Sequence, residues 1–237
     1  MEATIIPGTV RSDNRKLEFL QTALELFYEK GYENTTIQDI IDHLDVSKGA
    51  FYHYFKSKED VIVAIARGYT DRAVSIMKTI ISRTDLSAVD KLNEILKSVN
   101  EFKFREREWR SKFRGAIKSE ENFKLHNKMI HLMKQDAIGL FKELFDSGVE
   151  EGVFGDPVNS LEMADFFLNT IFSLNMAVDQ LENRLYDNNN KLDFQEFEIK
   201  LVNKVRFYEV MLERVLQLKE GAIDMRTPYM IRIKGRE

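Results

Sequence analysis

The chain is expected to be all-α, with a small N-terminal three-helix unit ahead of a larger C-terminal helical bundle, about nine helices in all. Three observations carry that expectation. Apolar residues recur at helical spacing through most of the 237 residues. Three prolines and eleven glycines are too few for a chain broken into short strands and turns. Near the N-terminus, two short apolar-faced segments are separated by only a tight turn.

Residues 1 to about 12 lack periodicity and contain Pro7 and Gly8, so a flexible arm is expected. Arg11, Arg15 and Lys16 sit where arm and first helix meet, placed either to touch phosphates or to form a solvated basic patch. The first helix should run to about Lys30, with Leu17, Leu20, Leu24 and Phe27 forming a stripe that Phe19, Ala23 and Leu26 widen. Gly31 suits the position past its end, where the backbone often turns left-handed.

The second helix opens at Thr35 or Thr36 as N-cap and places Ile37, Ile40, Ile41 and Leu44 on one face. Asp45 and Val46 leave room only for a sharp change of direction, and Ser47 can accept the first free amides of the next helix. From Lys48 to Phe55 that third helix sorts into two faces. Phe51 and Phe55 point one way, while Lys48, Gly49, Tyr52 and His53 share the other. Ser57 and Asp60 make a start like a capping box for a fourth helix. Helix, short turn, helix is the general helix-turn-helix pattern, whose second helix enters the DNA major groove.

The fourth helix carries Ile62, Ile65, Ala66, Tyr69, Ala73, Ile76, Met77 and Ile80 on one side and should continue to about Ser82. After a break at 84–87, another helix reaches about Phe104. The stretch 105–119 holds a further helix with irregular ends, and one more covers about Glu120 to Gly148, which Gly148, Gly152, Gly155 and Pro157 terminate. The last two long helices, about 158–185 and 194–219, are apolar on more than one side. In the second of them Phe194, Phe197, Leu201, Val205, Tyr208, Leu212 and Val215 approach a heptad seam, and Phe207, Val210, Met211 and Leu218 form a second stripe. Two stripes need two places of burial, one in the subunit's own core and one in a partner. The tail beyond Gly221, RTPYMIRIKGRE, is basic and partly β-prone, with no role assigned to it.

Composition narrows function mainly by exclusion. With no cysteine there are neither disulfides nor thiolate metal sites. His126 and His131 stand five apart and do not share a helical face, so no metal site is expected. No apolar run approaches the ~20 residues that span a bilayer, so a cytoplasmic protein is expected. No nucleophile, base and orienting group converge, which speaks against an enzyme, and no cofactor is implied. Charge by itself does not favour nucleic acid. The net charge is −4, and residues 1–60 hold seven Lys or Arg against eleven Asp or Glu. Placement does favour it, since Lys48, Lys56 and Lys58 lie on and just after the third helix while Asp39, Asp42 and Asp45 belong to the second and the turn.

In detail, residues 15–66 resemble the TetR family. The resemblance rests on a first helix ending in Gly31-Tyr32, on Thr36 before an Ile-rich helix, on Val46-Ser47-Lys48-Gly49, on Tyr52 and Phe55, and on Lys58-Glu59. It implies a homodimeric, all-helical transcriptional regulator, most often a repressor, whose C-terminal region dimerises and binds a small-molecule inducer. The implied DNA contacts fall on Thr36, Gln38, Ser47, Lys48, Gly49, Tyr52, His53, Tyr54 and Lys58. Lys48 would donate to a guanine edge or a phosphate, and Tyr52 would offer its ring to a thymine methyl. His53-Tyr54 departs from the family pattern, in which a histidine usually takes the second place, and the Tyr54 hydroxyl would then supply the phosphate contact.

The domain reading is an arm at 1–12, a DNA-binding unit at 13–60, a connecting helix at about 58–82, a ligand-binding and dimerisation region within 61–220, and the tail at 221–237. A ligand pocket is expected among Trp109, Phe113, His126, Met133, Phe167, Phe172 and Asn175, although such residues equally suit an ordinary core. A helical adaptor, or a small-molecule carrier or enzyme without DNA regulation, is the alternative.

Overall fold

The structure, a computed structural model, describes residues 14–116, 123–155, 159–185 and 192–234. The expected arm, with Arg11, lies outside the described residues, as does the side chain of His126. The described residues hold ten helices: α1 (Asn14–Lys30), α2 (Ile37–Leu44), α3 (Lys48–Tyr54), α4 (Lys58–Ile81), α5 (Ala88–Arg105), α6 (Arg107–Ala116), α7 (Phe123–Glu150), α8 (Ser160–Arg184), α9 (Phe194–Val215) and α10 (Arg226–Lys234). The all-α class holds, and the helix beyond the expected nine lies in the tail.

The chain divides into two compact units. The first joins residues 1–75 to 102–133 and the second joins 76–101 to 134–237. In the first unit the broad stripe of α1 builds the core, with Phe19 and Phe27 fully buried beside Ile40, Phe51, Ile62 and Ile65. Phe19 meets Phe51 edge-on at 5.7 Å and Phe55 at 6.2 Å, so the inward face of α3 is fixed by aromatic packing. Along α6, Trp109 stacks on Tyr69 at 4.7 Å and on Phe113 at 5.1 Å.

The second unit is packed around Phe141, Phe145, Phe167, Phe197 and Leu201, all nearly inaccessible to solvent. The sequence places the end of α7 at about Gly148, in a stretch that Gly148, Gly152, Gly155 and Pro157 terminate; the helix runs on to Glu150, and of these residues it is Gly152, with a φ of 70°, that takes the left-handed value a helix end favours. Gly148 instead accepts the amides of Val153 and Phe154 at its carbonyl, at 2.9 and 3.0 Å. The turn thereby folds the Phe154 ring back over the helix.

The tail is helical where its composition suggests extended chain. Two carboxylates of α9, Glu209 and Glu213, lie at 0% and 3% exposure. One Glu213 oxygen accepts the amides of Gly221 and Ile223, at 2.8 and 3.1 Å, and one Glu209 oxygen accepts those of Met225 and Arg226, at 2.9 and 3.0 Å. Asn93 of α5 pairs with the same segment in both directions, donating to the Ala222 carbonyl and accepting the Asp224 amide. Asp224 accepts the Thr227 amide, and Pro228 falls in the first turn of α10, where a missing N–H costs nothing. Ile223, Met225 and Tyr229 are buried in the core, so long-range hydrogen bonding and burial override local β preference.

Candidate nucleic-acid interface

The two short helices are held by the caps their sequences allow. Thr36 caps α2, its hydroxyl accepting the Asp39 amide while the Asp39 carboxylate accepts the Thr36 amide, a reciprocal capping box. Lys30 donates to Asp39 at 2.8 Å, and these bonds hold the Asp39 carboxyl well below the usual carboxylate range. Asp45 closes α2 with a φ of 50°, and Ser47 caps α3 by accepting the Ala50 amide. Thr36 and Ser47 are therefore occupied as caps.

With Phe51 buried on one side of α3, Lys48, Gly49, Tyr52 and His53 are exposed on the other. Tyr52 keeps 48% of its surface open and lies under the Lys48 ammonium, which is 5.9 Å from its ring centroid. A Cβ at Gly49 would meet nothing nearer than the Ser47 hydroxyl at 3.8 Å, so that position is open to the approach of another molecule. Of the remaining candidates, Gln38 is exposed on α2 and donates to Asp42 at 2.7 Å. Tyr54 is half-buried, with its ring 5.8 Å from Phe19. The structure thus gathers Lys48, Gly49, Tyr52 and His53 on one surface, and turns Tyr54 toward the α1 packing.

Lys58 has internal partners. Its ammonium donates to the carbonyls of Tyr32 and Glu33, at 2.5 and 3.2 Å, and lies 4.3 Å from the centroid of the Tyr32 ring. Burial there lowers its pKa. Burial, with Glu59 and Glu33 nearby, pushes the Tyr32 phenol up to about 12 from an ordinary 10.0. A folded-state value above the unfolded one means that the stability Tyr32 contributes is fully present below pH 10 and is lost as pH rises toward 12. Tyr32→Phe should therefore lose less stability than the natural chain over that interval, as followed by urea midpoint. Equal losses in the two chains would count against this assignment.

The candidate ligand residues are divided between the two units. Trp109 and Phe113 form part of the ring stack in the first unit, and Met133 belongs to that unit as well. In the second unit Phe167 is core, 4.7 Å from the Phe141 ring, and Phe172 is partly buried against the same cluster. Asn175 donates to the Ile171 carbonyl and accepts the Tyr229 hydroxyl at 3.1 Å. The buried acids of α9 escaped the sequence reading, although Glu209 lies between Val205, Leu212 and Leu216 on an apolar face, and that was a readable signal.

Among the described residues no group of His, Asp and Glu is arranged to hold a metal ion, and no helix is long and apolar enough to cross a membrane. The arrangement therefore defines a helix-turn-helix domain with an exposed second helix. Residues 19–65 match the family model described as bacterial regulatory proteins, tetR family. The repressor KstR2 of Mycobacterium tuberculosis is 34% identical over 79 residues, 33% of this chain and 38% of that protein. The curated relatives matched first are covered over only 23% to 38% of their own length. A helix-turn-helix regulator of Bacillus subtilis, YfiR, is 27% identical over 220 residues, 88% of this chain and 95% of the relative. Among solved structures, Salmonella enterica GusR aligns with a TM-score of 0.57 at 22% identity, covering 85% of this chain and 95% of that one. The fold of the chain is TetR-like.

Proposed function

We propose that the chain is a sequence-specific DNA-binding transcriptional regulator of the cytoplasm, a repressor that grips a palindromic operator as a homodimer and is released by a small-molecule inducer. The observation that carries this reading is the outward face of α3, where Lys48, Gly49, Tyr52 and His53 stand exposed on a helix that Phe51 seats in the core. Lys48 and Tyr52 read base edges, His53 and Gln38 lie beside them, and the capped starts of α2 and α3 at Thr36 and Ser47 face phosphates. Residues 13–60 are the DNA-binding part, and 61–220 serve ligand and partner.

Dimerisation is assigned to α8 and α9. Phe166 and Met176 on α8, and Ile199, Phe207 and Met211 on α9, are between 37% and 61% exposed, a large apolar area to leave in water. A second copy covers it by two-fold symmetry, and the same symmetry reads an inverted repeat with half-sites about one helical turn apart, ~34 Å. The inducer acts through differential affinity for two states of that dimer, since equal affinity shifts nothing. Trp109 is the single tryptophan, and its indole N–H has no acceptor among the described residues. Its fluorescence is the natural signal for ligand titration.

Lys48→Ala should weaken binding to a DNA duplex selected from a random pool by roughly tenfold or more, given the ~1–3 kcal/mol of a good base contact, with an unchanged helical spectrum. Equal retardation of that duplex by the variant and the natural chain would remove Lys48, and with it the face of α3, from the reading.

A further inference from the structure

Lys58 opens α4, and the segment 31–36 between α1 and α2 is the corner that sets where α2 begins. Almost every polar group of that corner has a partner. Gly31 turns it with a φ of 83°. The Thr35 hydroxyl, on a residue with 0% exposure, donates toward the carbonyls of Leu26 and Gly31, at 3.2 and 2.8 Å. The Asn34 amide donates to the Lys30 carbonyl, and the Tyr32 amide donates to the Ala116 carbonyl at the end of α6. The carbonyls of Tyr32 and Glu33 point back toward α4 and would lack a charged donor without Lys58. An ammonium has three protons, and two of those of Lys58 go to these carbonyls while the charge rests against the Tyr32 ring.

We infer that Lys58 is a positioning residue of the DNA-binding unit, holding the corner 31–36 against α4 and so fixing the placement of α2 and α3, and that it makes no phosphate contact. This rests on the DNA-binding reading above. A lysine that neutralises a phosphate contributes to affinity in a salt-dependent way, whereas a lysine spent on backbone carbonyls contributes through geometry and stability. The two roles therefore part in measurements on one variant.

Lys58→Met keeps the aliphatic stem over Tyr32 and removes the donors. Binding to a fluorescein-labelled DNA duplex selected from a random pool is measured across a range of salt, at a temperature where the variant remains fully folded. The expected result is an unfolding midpoint shifted to lower urea, DNA affinity reduced several-fold, and a slope of log affinity against log salt equal to that of the natural chain. A slope reduced by about 0.9 means a lost phosphate contact and overturns the inference. Unchanged affinity, or an unfolding midpoint that does not move, overturns it equally. Should Lys58→Met fail to fold, Lys58→Gln retains a donor and is measured in the same way. Lys48→Ala, run beside it, tests the underlying reading separately: DNA affinity unaffected by Lys48→Ala removes DNA recognition by α3, whatever Lys58 does.

Discussion

Glu209→Ala is expected to lower the free energy of unfolding by about 2–4 kcal/mol, because two backbone amides lose their carboxylate acceptor and a donor left unsatisfied inside a protein costs about 1–3 kcal/mol. Glu209 has no exposed surface and accepts the amides of Met225 and Arg226 through one oxygen. Its other oxygen lies 3.1 Å from Arg226 Nε and 3.6 Å from Arg206 Nη1. The alanine variant would leave the Met225 and Arg226 amides short of an acceptor beside the buried side chains of Ile223, Met225 and Tyr229, while the half-exposed Arg226 guanidinium turns to water and Arg206 keeps Glu213 and Glu220. Glu209→Gln separates the components, because the amide oxygen can still accept both backbone amides while the charge is gone, and a smaller loss is expected. Urea unfolding of the three chains checks this. Hydrogen exchange should locate the change in residues 221–234, with faster exchange at Met225 and Arg226. An alanine variant as stable as the natural chain would mean that α10 does not depend on this anchor.

That anchor also shows where the sequence stops being sufficient. The helix-turn-helix is legible because its determinants are local: Thr36 and Ser47 are caps within three residues of the amides they satisfy, and Phe51 declares the inward face of α3 by its own helix period. The exposed stripe of Phe207 and Met211 is legible for the same reason. The tail is not, because its helix depends on Glu209, Glu213 and Asn93, and Asn93 lies more than a hundred residues away along the chain. Periodicity within 221–237 contains none of that information. Lys58 is a subtler case. Its position in the motif suggests a phosphate, and only the path of the chain at Tyr32 and Glu33 reveals acceptors inside the protein. Asn175 differs likewise, since the hydroxyl it accepts comes from Tyr229 of the tail.

Gly148→Ala poses the same contest between local and distant effects, in a form where the two have opposite signs. Within a helix, alanine is better than glycine by ~1 kcal/mol, so local propensity predicts a more stable protein. Packing predicts the reverse. A Cβ at this position would lie 2.0, 2.4 and 2.8 Å from three carbons of the Phe154 ring. That ring is itself confined, at 5% exposure and 5.8 Å from the Phe145 ring, so it cannot swing aside without disturbing the core of the second unit. Overpacking of this kind costs typically about 1–3 kcal/mol and occasionally more. A net loss of about 1–2 kcal/mol is therefore expected, seen as a lower urea midpoint with unchanged slope. The decisive measurement is the double-mutant cycle with Phe154→Ala, because removing the ring removes the obstacle and leaves only propensity. In that background Gly148→Ala should become neutral or stabilising. If it remains equally destabilising there, the cost arises from the backbone and the Phe154 contact is not its cause.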